Sequence, residues 1–377
     1  MKSGKCRSPG RNIFATAILT HALTVFVAFP ATVWGAGEDD WNKILAEAKR
    51  EGQVNVYLSY DVLLPHFQKE YPEIKAVAVV GRGNDLTQRL ISERRAEKYL
   101  ADVISTGPRN SDFYHAKIYD PLRPALILPE VLDQSKWWMG KHIYADPNQE
   151  LALIYLGVIQ GGSVSYNTKL VNATEFKSLW DILNPRWKGK IETRDIRTPG
   201  PGSGAMRFFY HNPQLGPNFV RRLFAEMDVG LFRDFRQGAD GLANGKFAIC
   251  IGCVEIADLQ QKGLPVGNLG VMKEGAGIVS NSGTVGLVNR APHPNAAKVF
   301  INWLLSRKGQ IALQNELANT DDAVDSLRVD IPKDMVPPRA RRVEGVKYLL
   351  LDSRPEYLEM QPIIKLMEEA LAEGKKK

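Results

Sequence analysis

Cysteine is scarce in this 377-residue chain: only Cys6, Cys250 and Cys253 occur. Three cysteines cannot make a disulfide framework, so a hydrophobic core must hold the fold. Histidine is nearly as sparse. His21, His66, His115, His142, His211 and His293 show no His-Glu-x-x-His spacing, and no second Cys/His pair completes a zinc site beside Cys250-x-x-Cys253. Phosphate-loop spacing with its lysine is absent, and so is a Gly-x-Ser-x-Gly nucleophile elbow. No nucleophile or acid/base pair can be assembled, so the chain is not expected to be an enzyme, nor to need a cofactor or a metal. The body of the chain has no long Lys/Arg run and no basic–aromatic stripe, which argues against nucleic acid as a partner. It also lacks internal repeats and low-complexity tracts.

What is present is ordinary globular composition. Hydrophobic residues make up 44% and charged residues 24%, and the length suits two domains. The net charge of +7 is partly an N-terminal property. Four of the 49 basic residues and none of the 42 acids lie in the first 36 positions, which leaves the rest at +3. Those four, Lys2, Lys5, Arg7 and Arg11, precede an apolar stretch from Ile13 to Phe29, and small residues follow at Gly35, Ala36 and Gly37. This is the layout of an export signal, expected over residues 1–36. A membrane anchor is the competing reading, but the apolar stretch is short for a spanning helix. Export places the remaining cysteines in an oxidising compartment. The Cys250–Cys253 pair reads either as a disulfide or as thiols buried in an apolar strand.

After the signal, strands and helices alternate. Asp39 or Asp40 is placed to cap a first helix with Trp41, Ile44, Leu45 and Ala48 on one face and Gly52 as its stop. Strands are predicted over Val54–Leu58, Ala76–Val80 and Ala101–Ser105, with helices between them. Further strands are read within 154–166 and at 190–194, 247–251 and 284–288. Helices are read at 174–183, 205–210, 219–227, 239–243, 294–305 and 357–373. The Pro-rich segment 321–342 reads as a surface wrap, and Trp137-Trp138 either as cover for a sheet or as lining for a cleft. Strand–helix–strand alternation implies parallel strands with right-handed crossovers. Ligands then bind beyond the carboxyl ends of the strands.

The loops at those ends supply the candidate site. Ser59 and Tyr60 follow the first strand. Gly81-Arg82-Gly83-Asn84 ends the second and opens a helix, so Arg82 is either a ligand contact or solvated beside a capping Asn84 or Asp85. Thr106 and Gly107 follow the third strand. The most distinctive run, Arg194 to Gly204, joins a strand to a helix. Arg197, Thr198, Gly200, Gly202, Ser203 and Gly204 there form either a cradle for a phosphonate, phosphate or carboxylate at a helix N-terminus or a Pro/Gly turn. Ser282 and Gly283 are further candidates.

Taken together, the stretches Trp41–Tyr57, Leu86–Val103, Trp187-Lys188-Gly189-Lys190-Ile191 and Ala291–Gln310 resemble the periplasmic solute-binding proteins of ABC transporters, in the branch usually labelled ferric-ion-binding. The resemblance spans nearly the whole mature chain. It implies an α/β fold of two lobes, each a mostly parallel sheet flanked by helices, joined by crossing hinge strands around a ligand cleft. The lobes are expected at 37–156 with 272–345 and at 157–271, with 346–377 as a C-terminal helix packing on them. It further implies a monomeric periplasmic protein that hands a small-molecule ligand to a permease and its ATPase. One departure matters. Ferric binders of this branch carry adjacent tyrosines, but this chain has no Tyr-Tyr pair, and the equivalent strand runs into Ile251-Gly252-Cys253-Val254. An anionic ligand is therefore expected. Ferric iron held by non-adjacent tyrosines and a carboxylate such as Glu255 remains as a rival, and so does a sensory role beside a receptor kinase.

Overall fold

A computed structural model describes residues 33–107, 114, 116–159, 164–198, 203–320 and 322–376. The expected signal lies largely outside them. Among the described residues no helix is long and apolar enough to cross a membrane.

Helix α1 (Val33–Glu51) begins before the predicted cap. Asp39 and Asp40 therefore sit inside the helix, and neither caps it. Ala48 is buried in the core with Trp41, Ile44 and Leu45 packed against it. Gly52, at φ +69°, stops the helix as its sequence position predicts. Then come β1 (Gln53–Leu58), α2 (Leu64–Glu70), β2 (Lys75–Val80), α3 (Gly83–Arg95) and β3 (Val103–Thr106). Both β2 and β3 pair with β1 in parallel, the outcome that right-handed crossovers give. Short strands β4 (Tyr119–Asp120), β5 (Ile143–Tyr144) and β6 (Ala152–Ile154) follow.

At Tyr155 the chain leaves this sheet. The predicted strand-rich region thus contains a break, and β7 (Leu156–Ile159) carries the chain across. A second sheet is built from β8 (Val164–Asn167), β9 (Ile191–Arg194), β10 (Gly230–Phe232), β11 (Ile249–Ile251) and β12 (Val266–Asn268), in the order β10-β9-β11-β8-β12. Its helices are α4 (Ser203–His211), α5 (Gly216–Glu226), α6 (Phe235–Ala243) and α7 (Ile256–Gln261). The chain returns through β13 (Ala276–Val279) to β14 (Thr284–Val288), which inserts antiparallel between β3 and β6. The first sheet thus runs β2-β1-β3-β14-β6-β5, with β4 also on β14. Parallel pairs form one side of each sheet, and antiparallel strands complete the other.

Helices α8 (Pro294–Leu305) and α9 (Arg307–Leu317) cover the first sheet, where Phe67 packs on Phe300 and Trp303 at 5.1 and 5.3 Å between ring centroids. The last elements are β15 (Asp325–Ser326), β16 (Tyr348–Leu350) and α10 (Gln361–Gly374). The four strands β15-β7-β13-β16 form a third, small sheet, whose β7 and β13 come between strands of the two larger sheets in chain order. Two main hydrophobic cores result among the described residues, with two smaller clusters. One surrounds β1, β3, β14 and α8. The other surrounds α4 and α5 and takes in Ile363, Met367 and Ala370 of α10.

Two further expectations need correction. The described part of the segment 321–342, residues 322–342, is not a surface wrap. Ser326, Leu327 and Arg328 are buried because β15 pairs with β7, and Arg328 is held by Asp330 and by the Leu305 carbonyl. The helix predicted at 174–183 is instead two separate 3-10 turns, Ala173–Glu175 and Leu179–Leu183, and Ser178 caps the second with a reciprocal Asp181 bond.

Candidate functional site

In the first lobe the predicted residues converge. β1, β2 and β3 end side by side, and their loops meet. The Ser59 hydroxyl donates to the Gly81 carbonyl at 3.0 Å and lies 3.2 Å from the Thr106 hydroxyl. Gly83, the first residue of α3, faces the same hydroxyl. A Cβ there would lie 3.4 Å from Thr106 Oγ1. Arg82 stands just before α3 in an extended conformation with its side chain in solvent. Two hydroxyls and the N-terminus of a 13-residue helix therefore share one edge, and such an N-terminus attracts negative charge.

The loop before β14 closes over this edge. Gly107 lies directly beneath the Asn281 carbonyl, and a Cβ there would come within 2.5 Å of that oxygen. The Asn281 side chain donates to the Tyr60 hydroxyl at 3.1 Å. Burial, the Asp322 charge and the nearby Tyr155 push the Tyr60 phenol well above its ordinary range, while bonds with Ser282 and Asn281 oppose the shift. Tyr155 is fully enclosed and bonded to Ser105 at 2.7 Å, and burial pushes it up to about 12. Both phenols are therefore neutral near neutral pH. Gly283 is buried against Leu156, whose Cβ would stand 2.3 Å from a Cβ at position 283.

The second-lobe candidates are arranged differently. Arg197 is gripped by Asp195, at 2.7 and 2.8 Å, and Glu368 is 3.9 Å away. The Arg197 hydrogen bond and charge hold the Asp195 carboxyl below its ordinary range, although burial pushes it the other way. The Thr198 amide donates to the Asp195 carbonyl at 3.0 Å. Ser203 opens α4 and Gly204 is buried in it, whereas Gly200 and Gly202 lie outside the described residues. Arg194 lies over the Phe235 ring at 4.1 Å. Arg207, inside α4, points elsewhere. It bonds to the Tyr357 and Leu351 carbonyls and to Asp352.

Asp352 also receives the Ser280 amide and hydroxyl, so Arg207, Asp352 and Ser280 tie α4 to the returning strand. Sequence reading missed this network because Asp352 sits in a segment without periodicity. It passed over Asn281 in favour of Ser282, although the Ser280–Gly283 run is turn-forming throughout. Glu192 was also missed. It is buried in the middle of β9, where alternation alone gives no reason for an acid. Burial pushes its carboxyl up to about 8, with Lys246 opposing. Cys250, beside it on β11, forms a disulfide with Cys253, which decides the alternative left open by the sequence.

The model of the family described as bacterial extracellular solute-binding protein matches residues 51–311. Solved structures share the fold. A Trichodesmium protein, IdiA or FutA, in complex with iron and citrate, is 19% identical over 85% of this chain and 99% of its own, with a TM-score of 0.61. Apo FutA2 from Synechocystis is 16% identical over 85% of this chain and 98% of its own, at 0.59. An ABC transporter protein from Clostridium perfringens is 15% identical over 86% of this chain and 99% of its own, also at 0.59. No curated protein matches the chain.

Proposed function

This chain belongs to the bacterial extracellular solute-binding protein family, and from that premise we propose that it captures a small anionic ligand, a phosphonate, phosphate ester or carboxylate, in a cleft between its lobes. It then presents the ligand to the permease of an ABC importer in the periplasm, as a monomer. The lobes are residues 37–156 with 272–345, and 157–271, with 346–377 packed on them; residues 1–36 are the export signal.

The observation carrying this reading is the shared edge of Ser59, Thr106 and the α3 N-terminus. Its donors are the Thr106 hydroxyl and the backbone N–H groups of the α3 N-terminus, with Arg82 at the rim, which suits an anion's oxygens. In this reading Arg197, Thr198, Ser203 and Gly204, before and at the start of α4, are the second-lobe contacts. A ligand touching both sides favours the closed arrangement by the difference in its affinity for the two states.

Ferric iron is the second reading, favoured by the iron-and-citrate complex of the Trichodesmium protein. Against it, Tyr60 and Tyr155 are neutral phenols engaged with Asn281 and Ser105. Thermal-shift titration of metal-stripped protein separates the two. Inorganic phosphate, phosphonates, sugar phosphates, carboxylates and ferric citrate serve as probes. Ligand at 100 times its Kd adds about 2.7 kcal/mol. A response to phosphorylated or carboxylated compounds, abolished by Thr106→Val or Arg197→Ala, supports the anion. A response to ferric iron alone, with a tyrosinate charge-transfer colour, overturns it.

A further inference from the structure

The second sheet contains a polar group that the cleft does not use. Glu192 is 3% exposed, on the face of β9 that points away from the main second-lobe core and toward α6. In the parallel register it stands directly opposite Cys250. Gly241 of α6 lies over it so closely that a Cβ would sit 2.9 Å from Oε2. Oε1 is buried and has no hydrogen-bond partner. Such a group costs stability, and an apolar side chain in its place would not. The buried cluster to which the opposing Cys250 belongs, with Phe232, Leu242, Ile256 and Val266, is apolar, and although the Lys246 charge acts on Glu192, no hydrogen bond of the fold uses Oε1.

Ligand atoms of Glu192, Cys250 and Cys253 lie within 4.8 Å of one another. Cys250 is fixed in β11, while Cys253 is half-buried on a loop that turns through Gly252 at φ +76° and Glu255 at φ +61°. Cys253 can therefore part from Cys250 without moving the sheet. Two thiolates at about 2.3 Å and a carboxylate at about 2.0–2.2 Å make three corners of a tetrahedral site, with the fourth open through the half-buried Cys253 side.

We infer that Cys250, Cys253 and Glu192 form a site for a thiophilic divalent cation such as zinc, which the disulfide closes and reduction opens. A dithiol reductant gives two electrons and two protons to the Cys250–Cys253 bond and becomes a disulfide itself. The cation then displaces the two thiol protons, and the carboxyl proton, to solvent. Occupied and oxidised forms exclude one another, because the same sulfur electron pairs serve the S–S bond or the metal.

Cobalt(II) is the probe, added to the full-length protein after reduction by a phosphine and removal of the reductant under nitrogen. Reduced wild type is expected to bind one equivalent with a thiolate-to-cobalt charge-transfer band that zinc abolishes. Oxidised protein should show none. Glu192→Gln should weaken binding at least ~10–100-fold, and Glu192→Cys, which supplies a third thiolate, should strengthen it and intensify the band. An absent band in reduced wild type, equal binding by the oxidised protein, or an affinity unchanged in either variant overturns the site. So does a reduced protein whose near-ultraviolet circular dichroism collapses and is not restored by zinc.

Discussion

Asp352 grips Ser280 twice, accepting its backbone N–H at 2.6 Å and its hydroxyl at 2.7 Å through a single carboxylate oxygen. The other oxygen accepts from Arg207 at 2.8 Å. Both charged groups are buried, so neither has water to replace a lost partner.

Asp352→Asn leaves the Arg207 guanidinium buried beside a neutral amide. Removing one partner from such a pair costs ~3–5 kcal/mol. Urea unfolding should show a loss in that range, and a loss under ~1 kcal/mol would mean that the carbonyls of Leu351 and Tyr357 suffice to hold Arg207.

Gly107→Ala drives a methyl against the Asn281 carbonyl, a backbone atom that cannot swing aside. The expected cost is ~1–3 kcal/mol, accompanied by weaker ligand binding, since Asn281 also steadies Tyr60. Thermal melts with and without ligand test both parts. Unchanged melting would show that the Ser280–Gly283 turn is free to shift.

Glu192 gives a pH dependence of defined sign. Its folded pKa is raised from 4.5 to about 8. The folded state therefore holds a proton that the unfolded chain releases, so its contribution is fully present below about pH 4.5 and is lost as pH rises through about 8. Oxidised wild type should lose stability across that window, on the order of a few kcal/mol. Glu192→Gln should remove this part of the slope. Denaturant midpoints at several pH values provide the check, and parallel curves for the two proteins would refute the assignment.

Ser306 joins α8 to α9. Its hydroxyl donates to the Trp303 carbonyl at 2.7 Å and accepts the Gly309 amide at 3.1 Å. Ser306→Ala should cost ~0.5–2 kcal/mol, the usual loss for an N-cap. Helix content by circular dichroism should stay constant while the unfolding midpoint falls.

Much of the fold was legible because local signals agreed with tertiary demands. Gly52 stops α1, Pro294 opens α8, and the apolar runs of β1 and β3 became buried parallel strands. Legibility ended where structure depends on distant pairing. β15 is two residues long and exists only because β7 passes alongside it, so the charged run around Arg328 looked like surface. Site residues in the first lobe were legible for a topological reason: parallel strands end together, and so do their loops. The roles of the arginines were not. Arg197 and Arg207 look alike in sequence, yet one meets Asp195 and the other meets Asp352, 145 positions away. Glu192 escaped because its environment is set by Gly241 and Cys250, neither of which is near it in the chain.

The small sheet that carries the chain between the two larger ones also sets mechanical limits. Because β7, β13 and β16 are laced edge to edge by backbone hydrogen bonds, sliding one strand past another would break a ladder rung by rung. Flexing the ribbon out of its plane breaks none. Such a ribbon is therefore stiff to shear and soft to bending, like a leaf spring.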